Sequence, residues 1–300
     1  MTAVRDILAY LSAEGIPFQY RGIENAAVSG FSSLTQYRAG TMTWIRVPEK
    51  CKEGPAPERI ALLVAQSGIE VPGAPCVITS PESKRAFFSV VRHFYGSGAP
   101  ARPSCGAGSY VSPKVRLGRN VTIGCGCVLD GDISIGDHTV IWHHVTILNR
   151  VEIGADCVIH SGAVIGHDGY AFYEAEGHKE MVAHYGGVVI GDGVWIGANT
   201  NIARGVIDDT RIGDGCKVDA LCHIAHNVVM ERDCALVAGS IIMGSAHLQP
   251  RAYVASAAVR DQTVIGRGAL IGMGAAVVKN VPDETTVAGV PAKPFRKLEV

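Results

Sequence analysis

The chain has 300 residues, with 27 Lys and Arg against 28 Asp and Glu and a formal net charge of −1. This balance, without any dense run of basic residues, disfavours nucleic acid and anionic membrane surfaces as partners. No run of about 18 apolar residues is present to span a membrane, and the opening "MTAVRDILAYLSAEG" carries charges where a signal peptide has an apolar core. We therefore expect a cytoplasmic protein.

Residues 1–95 carry the mixed signals of a small α/β domain. "RDILAYLSAEG" predicts a helix, and "RIALLVAQ" and "PCVITS" predict strands. "SPESKRAFFSVVRHFY" predicts a second helix, with Ser80 as its N-cap and Pro81 at its first position. The Gly/Pro-rich stretch at residues 96–108 is predicted to be a linker.

A six-residue repeat follows over residues 109–282. Aliphatic residues open every sixth position from Val111 to Ile165, and the register resumes at Ile190, Ile212 and Ile265 to give twenty-four hexads. Neither a helix nor a half-buried strand has this period, whereas short strands joined by tight corners do. Three hexads would close one triangular coil, so the sequence predicts a mainly β parallel β-helix of eight coils, with a tail at 283–300.

The repeat has two breaks. Between Ile165 and Ile190 the chain has nineteen residues more than one hexad needs, and a loop of that length in a compact repeat is usually functional. We expect this inserted loop, residues 167–188, to cover a site. The second break, after Ile202, adds only four residues and is interpreted as a bulged corner.

Nine cysteines, an odd number without an export signal, indicate free thiols in a reducing compartment. Five of them share the small-residue position of the hexad: Cys127, Cys157, Cys216, Cys222 and Cys234. We interpret them as buried packing residues rather than metal ligands, because no CxxC pairs accompany them.

The histidines are the main candidates for chemistry near neutral pH. His226 is the third residue of its hexad and Asp219 the second residue of the hexad before, so the two are predicted to meet around a corner as a general base and its partner. Gly244 occupies the position of His226 one coil further on, where its N–H could stabilise an oxyanion. The alternative interpretation makes His226 a solvated corner residue.

A second group of histidines raises the possibility of a metal site. His143 and His144 share one hexad, and His160 and His167 lie in later ones, but corner residues on successive coils crowd together without any ligand. We expect no metal and no permanently bound cofactor.

The segment "VVIGDGVWIGANTNIARGVIDDTRIGDGCKVDALCHIAHNVV", with "IGHDGYAF" upstream and "GFSSLTQYRAGTMTWI" in the first domain, resembles the UDP-3-O-acylglucosamine N-acyltransferases of lipid A biosynthesis. The resemblance implies a left-handed coil, a homotrimer, and transfer of an acyl group from a thioester donor, which is acyl carrier protein in that family, to a nucleotide amino sugar. It also implies His226 as the base, Asp219 as its partner and Gly244 as the oxyanion donor. The residues expected to bind the acceptor are Trp44, Tyr170, Phe172, His223 and Asn227.

The chain departs from that family at several positions. "WIRVPEK" keeps an aromatic face in Trp44 but has Val47 and Lys50 where the family has Asn and Tyr to hold uracil. Ala203 replaces an Asp, and Thr263 aligns with a second family histidine, while His247 lies elsewhere on the coil. These departures leave the nucleotide and the acyl group open.

The ending "GMGAAVVKNVPDETTVAGVPAK" resembles acetyltransferases that use acetyl-CoA. Lys279, Lys293, Arg296 and Lys297 could pair with the phosphates of CoA, which favours a CoA thioester with a short acyl group. An acetyl-CoA-dependent O- or N-acetyltransferase of sugars is therefore an alternative, and a non-catalytic β-helix scaffold is another.

Overall fold

The structure is a computed structural model that describes residues 1–47, 54–96 and 104–294. The chain divides into two compact units, Met1–Ala101 and Arg102–Val300. Over the described residues, none of the helices combines the length and the apolar character needed to cross a bilayer.

The N-terminal unit packs two helices on a small sheet, which confirms the predicted α/β character. Helix α1 (Val4–Ala13) and helix α2 (Ser83–Val90) bury apolar faces, and α2 continues as a π-helical turn at Val91–Tyr95. A 3₁₀ turn covers Pro57–Arg59, and Thr2–Ala3 pairs with Ala27–Val28. The four-stranded sheet has the order Gln19–Arg21, Val77–Ser80, Leu62–Gln66 and Met42–Ile45.

The predicted start of helix α2 is wrong by two residues. Ser80 belongs to the preceding strand, and its hydroxyl donates to Pro17 O at 2.7 Å while accepting from Glu82 N–H at 3.0 Å. The N-cap position falls on Glu82, and the first helical residue is Ser83. Ser80 cannot cap the helix because sheet pairing with Gln66 keeps it in the extended strand.

The second unit is a parallel β-solenoid whose coils each contribute strands to three faces. In coil order, its strands are Tyr110–Val111, Arg116–Leu117 and Thr122–Ile123; Val128–Asp130, Ile133–Ile135 and Val140–Ile141; Thr146–Leu148, Val151–Ile153 and Val158–Ile159; Val164–His167, Val188–Ile190 and Trp195–Ile196; Asn201–Ala203, Thr210–Ile212 and Lys217–Val218; His223–Ile224, Val229–Met230 and Ala235–Leu236; Ile241–Ile242, His247–Leu248 and Tyr253–Val254; Ala258–Val259, Val264–Ile265 and Leu270–Ile271. A ninth coil adds Ala276–Val277 and Thr286–Ala288, and Lys293–Pro294 pairs antiparallel with the latter.

The hexad aliphatics stack inside this solenoid, as the period of six predicted. Leu129 pairs with Ile147 and Ile147 with Ile165, each 18 residues apart, and all three are buried. The five cysteines of the small-residue position are buried free thiols, which confirms the packing interpretation. Stacked, fully buried aliphatic and thiol side chains therefore form the continuous core of this unit.

Within the first eight coils, the count of hexads missed one aliphatic residue that points into the core. Val259 is completely buried and pairs with Ile242, 17 residues earlier, because this coil is one residue shorter than the others. The expected register had passed from Val254 directly to Ile265. Val281 and Val287 extend the core into the ninth coil, beyond the eight coils predicted.

Both breaks in the repeat lie at the same corner of the triangle, which we call the first corner: the turn from the first face to the second face. The inserted loop leaves the first face after His167 and returns to the second face at Val188. It contains a hairpin of Phe172–Ala175 and His178–Met181. The four extra residues of the second break occupy the same corner of the next coil, between Ala203 and Thr210.

Candidate active site at the first corner

His226 lies at the first corner of the sixth coil, one coil after the second break. His226 lines an open cavity of about 550 Å³ that runs along the corner from the sixth coil to the ninth. Gly244 lies in the same cavity, one coil further along, and its neighbour Ser245 donates from its N–H to His226 O at 3.0 Å. The cavity is lined by Tyr170, His226, Met243, Gly244, Ser245, Ala258, Val259, Arg260, Asp261, Gln262, Ala276, Val277 and Val278.

The hydrogen bonds of Asn227 fix the tautomer of His226. The Asn227 side chain accepts from Val206 N–H at 3.0 Å through Oδ1 and donates to Asp208 O at 2.9 Å through Nδ2. Oδ1 therefore also faces His226 Nδ1, at 3.1 Å. Because Oδ1 can only accept, Nδ1 carries the proton and Nε2 keeps the lone pair of the neutral ring.

The His226 ring is bracketed by two glycines. A Cβ built on Gly244 would lie 2.8 Å from Cε1 and 2.9 Å from Nε2 of His226, so the edge that carries the lone pair passes against the Gly244 backbone. A Cβ on Gly169, in the inserted loop, would lie 2.9 Å from both Cβ and Cδ2 of the same residue. Neither position has room for a side chain, because real Cβ atoms do not approach this closely.

The predicted contact between Asp219 and His226 is absent from the described part of the chain, and this expectation is corrected. Asp219 lies at the corner before the strand His223–Ile224, whereas His226 lies at the corner after it. The Asp219 carboxylate instead accepts from Ala220 N–H at 2.7 Å and from Ala238 N–H at 3.3 Å. A whole strand separates the two corners, and the group that faces Nδ1 is the amide of Asn227.

The two breaks in the repeat contact each other and together surround His226. The inserted loop ends with Tyr185 N–H donating to Val206 O at 2.7 Å and Gly186 N–H donating to Gly205 O at 3.0 Å. At the start of the loop, Arg204 pairs with Asp168 at 2.7 Å. The second break is thus more than a bulged corner, since Asn227 and the inserted loop both bind it.

The structure brings Tyr170 into the His226 cavity, where 75% of its surface is exposed. Phe172 lies on the adjoining hairpin, with its ring 5.4 Å from that of Tyr170 and 5.5 Å from Lys179 Nζ. Asn227 uses its side chain for Val206, Asp208 and His226, so its arrangement is that of an orienting residue.

His223 projects from the outer surface of the first face, next to Asn201. Burial lowers the pKa of its imidazole, and the nearby imidazoles of His167 and His226 lower it further. His223 is absent from the residues that line the His226 cavity. The structure therefore places it beside the site, on the strand that leads to His226.

Trp44 lines a separate cavity of about 540 Å³ within the N-terminal unit. Its indole N–H donates to Ser83 Oγ at 3.1 Å, and its ring lies 5.9 Å from Phe88. The indole is half-buried: it packs against the core of the N-terminal unit and also forms part of the cavity wall. Val47 lines this cavity too, while Lys50 lies outside the described residues.

Of the cations predicted to bind the donor, Lys279 and Lys293 are exposed, and Arg296 lies outside the described residues, as does Lys297. The residues missed by the sequence analysis include Arg260, which lines the His226 cavity, and His184, which contacts His226. No hexad pattern marks either residue.

The second group of histidines is spread over different contacts. His143 Nδ1 accepts from Cys125 N–H at 2.9 Å, and the His160 ring lies 4.5 Å from Trp195. Within the ranges that the structure describes, no three His, Cys, Asp or Glu side chains are grouped to hold a metal ion.

The solenoid and part of its repeat are similar to those of known transferases. The family model of bacterial transferase hexapeptides (six repeats) matches residues 132–167. A solved structure of UDP-N-acetylglucosamine acyltransferase from Francisella novicida is similar to 62% of this chain and 68% of its own, with a TM-score of 0.57 and 26% identity. The enzyme of the same name from Bacteroides fragilis, at 23% identity and a TM-score of 0.57, shares the fold.

Curated relatives confirm the resemblance seen in the sequence. A UDP-3-O-acylglucosamine N-acyltransferase of Methylorubrum extorquens is 40% identical over 152 residues, which is 50% of this chain and 43% of that protein. Its namesake from Hahella chejuensis is 48% identical over 105 residues, 35% of this chain and 30% of that protein. The matches thus span less than half the length of these relatives.

Proposed function

We propose that the protein is an N-acyltransferase that moves an acyl group from a thioester donor to the amine of a nucleotide-linked amino sugar. The observation that carries this proposal is the orientation of His226. Its Nδ1–H faces Asn227 Oδ1 at 3.1 Å, and its Nε2 edge faces the cavity beside Gly244. The likeness to N-acyltransferases of a nucleotide amino sugar supports the class of acceptor.

In the proposed reaction the sugar amine attacks the thioester carbonyl carbon, and His226 Nε2 takes the proton that the nitrogen loses. The carbonyl oxygen becomes an oxyanion that the Gly244 N–H stabilises. Collapse of this intermediate breaks the C–S bond, and the thiol leaves with a proton returned from His226. The side-chain oxygen of Asn227 stabilises the His226 imidazolium by accepting from the Nδ1–H of the ring. These steps call for no metal or permanently bound cofactor.

The Trp44 cavity of the N-terminal unit is a candidate site for a nucleotide base, and the His226 cavity of the solenoid is the candidate site for the sugar amine that reacts. The first cavity has an aromatic wall of Trp44, Phe87 and Phe88, and a purine or pyrimidine can stack on such a surface. Tyr170 and Phe172 provide apolar surface for the sugar or the acyl chain at the second cavity. His223, beside that cavity, remains a candidate for contact with the acceptor.

For the donor we propose acyl-CoA, with acyl carrier protein as the alternative. Arg260 lines the His226 cavity, and Lys279 is exposed in the turn after its last strand, Ala276–Val277. Arg260 lies 4.0 Å from the Asp261 carboxylate in the cavity wall, and Lys279 lies beyond the wall; these cations suit a thioester whose far end carries phosphates. The alternative function, an acetyl-CoA-dependent acetyltransferase of sugars, would use the same kind of donor but a different acceptor.

We further propose a cytoplasmic homotrimer of side-by-side solenoids. The outer surface of the first face exposes apolar side chains, including Tyr110, Val128 and Ile241, whereas the second face exposes Arg116 and Arg211. An apolar face of this kind is covered more favourably by another copy than by water. The cysteines within the described ranges are free thiols, as expected in a reducing compartment.

The test is a thiol-release assay over a panel of nucleotide amino sugars with acetyl-CoA, hydroxybutyryl-CoA and a long-chain acyl carrier protein. We expect release with a CoA thioester that depends on a free amine in the acceptor. Turnover with the carrier protein alone would identify acyl carrier protein as the donor in place of acyl-CoA. Transfer to a hydroxyl group of the acceptor would favour an O-acetyltransferase. No turnover with any pair would favour a non-catalytic scaffold.

The binding of the nucleotide can be tested separately with Trp44→Ala. Weaker nucleotide affinity with an unchanged melting temperature would support stacking. A large fall in the melting temperature with unchanged affinity would assign the indole to the core alone.

A further inference from the structure

His184, near the end of the inserted loop, is a buried histidine to which the proposed reaction gives no role. Only 2% of its surface is exposed. Nδ1 lies 2.9 Å from Val182 O, and Nε2 accepts from Gly169 N–H at 3.1 Å. Since a carbonyl oxygen only accepts and an amide N–H only donates, Nδ1 carries the proton and the ring is neutral.

Both nitrogens of His184 are thus occupied within the inserted loop, one at its end and one near its start. The ring closes the loop on itself, across the base of the exposed hairpin Phe172–Met181. Ala171 O and Val182 N–H form a second bridge at the same place, at 2.9 Å. His184 therefore sets where the Gly169 backbone lies.

Gly169 in turn lies against the proposed base. A Cβ on Gly169 would be 2.9 Å from His226 Cδ2 and 3.0 Å from His184 Nε2, so its backbone is held between the two rings. The rings of His184 and His226 are close to perpendicular, at 82°, with centroids 5.7 Å apart. His184 thus reaches one side of the His226 ring, directly and through Gly169, while Asn227 holds Nδ1.

We propose that His184 is a positioning residue: it holds Gly169 against His226 and so keeps the imidazole in the orientation that directs Nε2 into the cavity. It moves no proton, because its lone pair is used by Gly169 N–H. This role rests on the proposed function insofar as His226 is the base. The placement of the His226 ring by His184 does not depend on which substrate is acylated.

The proposal predicts a graded response at position 184. His184→Leu removes the acceptor for Gly169 N–H, and we expect kcat to fall by about tenfold or more with KM values within about twofold. His184→Gln can still accept through its amide oxygen and is expected to keep kcat within about threefold of the wild type. His178→Leu, at an exposed histidine of the same loop, is the matched control and should keep wild-type kinetics.

A second measurement reads the position of His226 without any substrate. Diethyl pyrocarbonate acylates neutral imidazole, and peptide mass mapping follows the modification of His226 alone. We expect His184→Leu to raise the rate at His226 by about threefold or more, because the Gly169 backbone no longer covers the ring. His184→Gln and His178→Leu should give the wild-type rate.

Gly169→Ala provides an independent arm, should His184→Leu not fold. His184 stays intact, but the new Cβ must displace the His226 ring, so kcat should fall and the rate of His226 modification should change. An unchanged rate at His226 in both His184→Leu and Gly169→Ala would overturn the proposal. A wild-type protein that transfers no acyl group would contradict the proposed function while leaving the modification experiment as the test of this one.

Discussion

The side-chain oxygen of Asn227 faces Nδ1 of His226 at 3.1 Å, and the orientation of that amide is fixed by Val206 N–H and Asp208 O. Asn227→Ala should therefore lower kcat by about 10- to 100-fold, because the ring loses the group that holds its tautomer and stabilises its cation. Steady-state kinetics with the thiol-release assay would measure this.

Two variants serve as comparisons. Asn199→Ala is matched in backbone strain, since Asn199 has a φ of 56° and Asn227 one of 59°, and it should keep the wild-type kcat. Asp219→Asn should affect kcat much less than Asn227→Ala, because the Asp219 carboxylate accepts from Ala220 and Ala238 N–H groups. A larger loss at Asp219 than at Asn227 would restore the carboxylate as the partner of the base.

A side chain at position 244 is expected to impair catalysis but not folding. In Gly244→Ala the new Cβ would lie 2.8 Å from His226 Cε1, so the ring must turn or move. We expect kcat to fall by about tenfold or more while the melting temperature changes little, since the cavity is open to solvent. Gly272→Ala, with its nearest atom at 3.0 Å on Ala288 and no contact to His226, is the control. Wild-type kcat in Gly244→Ala would exclude a close approach of substrate at this backbone.

Much of the fold could be predicted because one physical requirement repeats. Each hexad must place one aliphatic side chain inside a triangular coil, so the period of six predicted the coils through Ile147, Ile165 and their equivalents. The failure at Val259 has the same origin, because a coil of 17 residues breaks a strict count without breaking the packing. The limits of helix α2 depended on whether Ser80 paired in the sheet, which is a tertiary contact.

The site was less predictable. His226 and Gly244 follow from the repeat, since equivalent positions of successive coils stack. The partner of His226 does not, because Asn227 adopts a left-handed backbone conformation that turns its side chain back towards the ring. His184 approaches through a loop whose path no repeat encodes. The error at Asp219 came from treating neighbouring hexads as neighbours around one corner, although a strand lies between them.

His223 predicts a dependence of stability on pH. Its pKa is lowered in the folded protein by burial and by His167 and His226, so between this value and the ordinary pKa of about 6.5 the unfolded chain binds more protons. Stability should therefore be lost as the pH falls through about 6.5 towards the lowered pKa. Between about pH 7.5 and pH 5.5, the melting temperature of His223→Asn should fall by less than that of the wild type. His178→Asn, at an exposed histidine, is the control and should behave like the wild type. Equal losses in the wild type and in His223→Asn would contradict this.

The most direct test of His226 as the general base is the kcat of His226→Ala in the thiol-release assay, with the best donor and nucleotide amino sugar found for the wild type. His226 is at a corner and only partly buried, so the variant should fold with a melting temperature close to that of the wild type. We predict that kcat falls by about 10² to 10⁴, the usual contribution of a general base. A folded His226→Ala protein with the wild-type kcat would contradict the account.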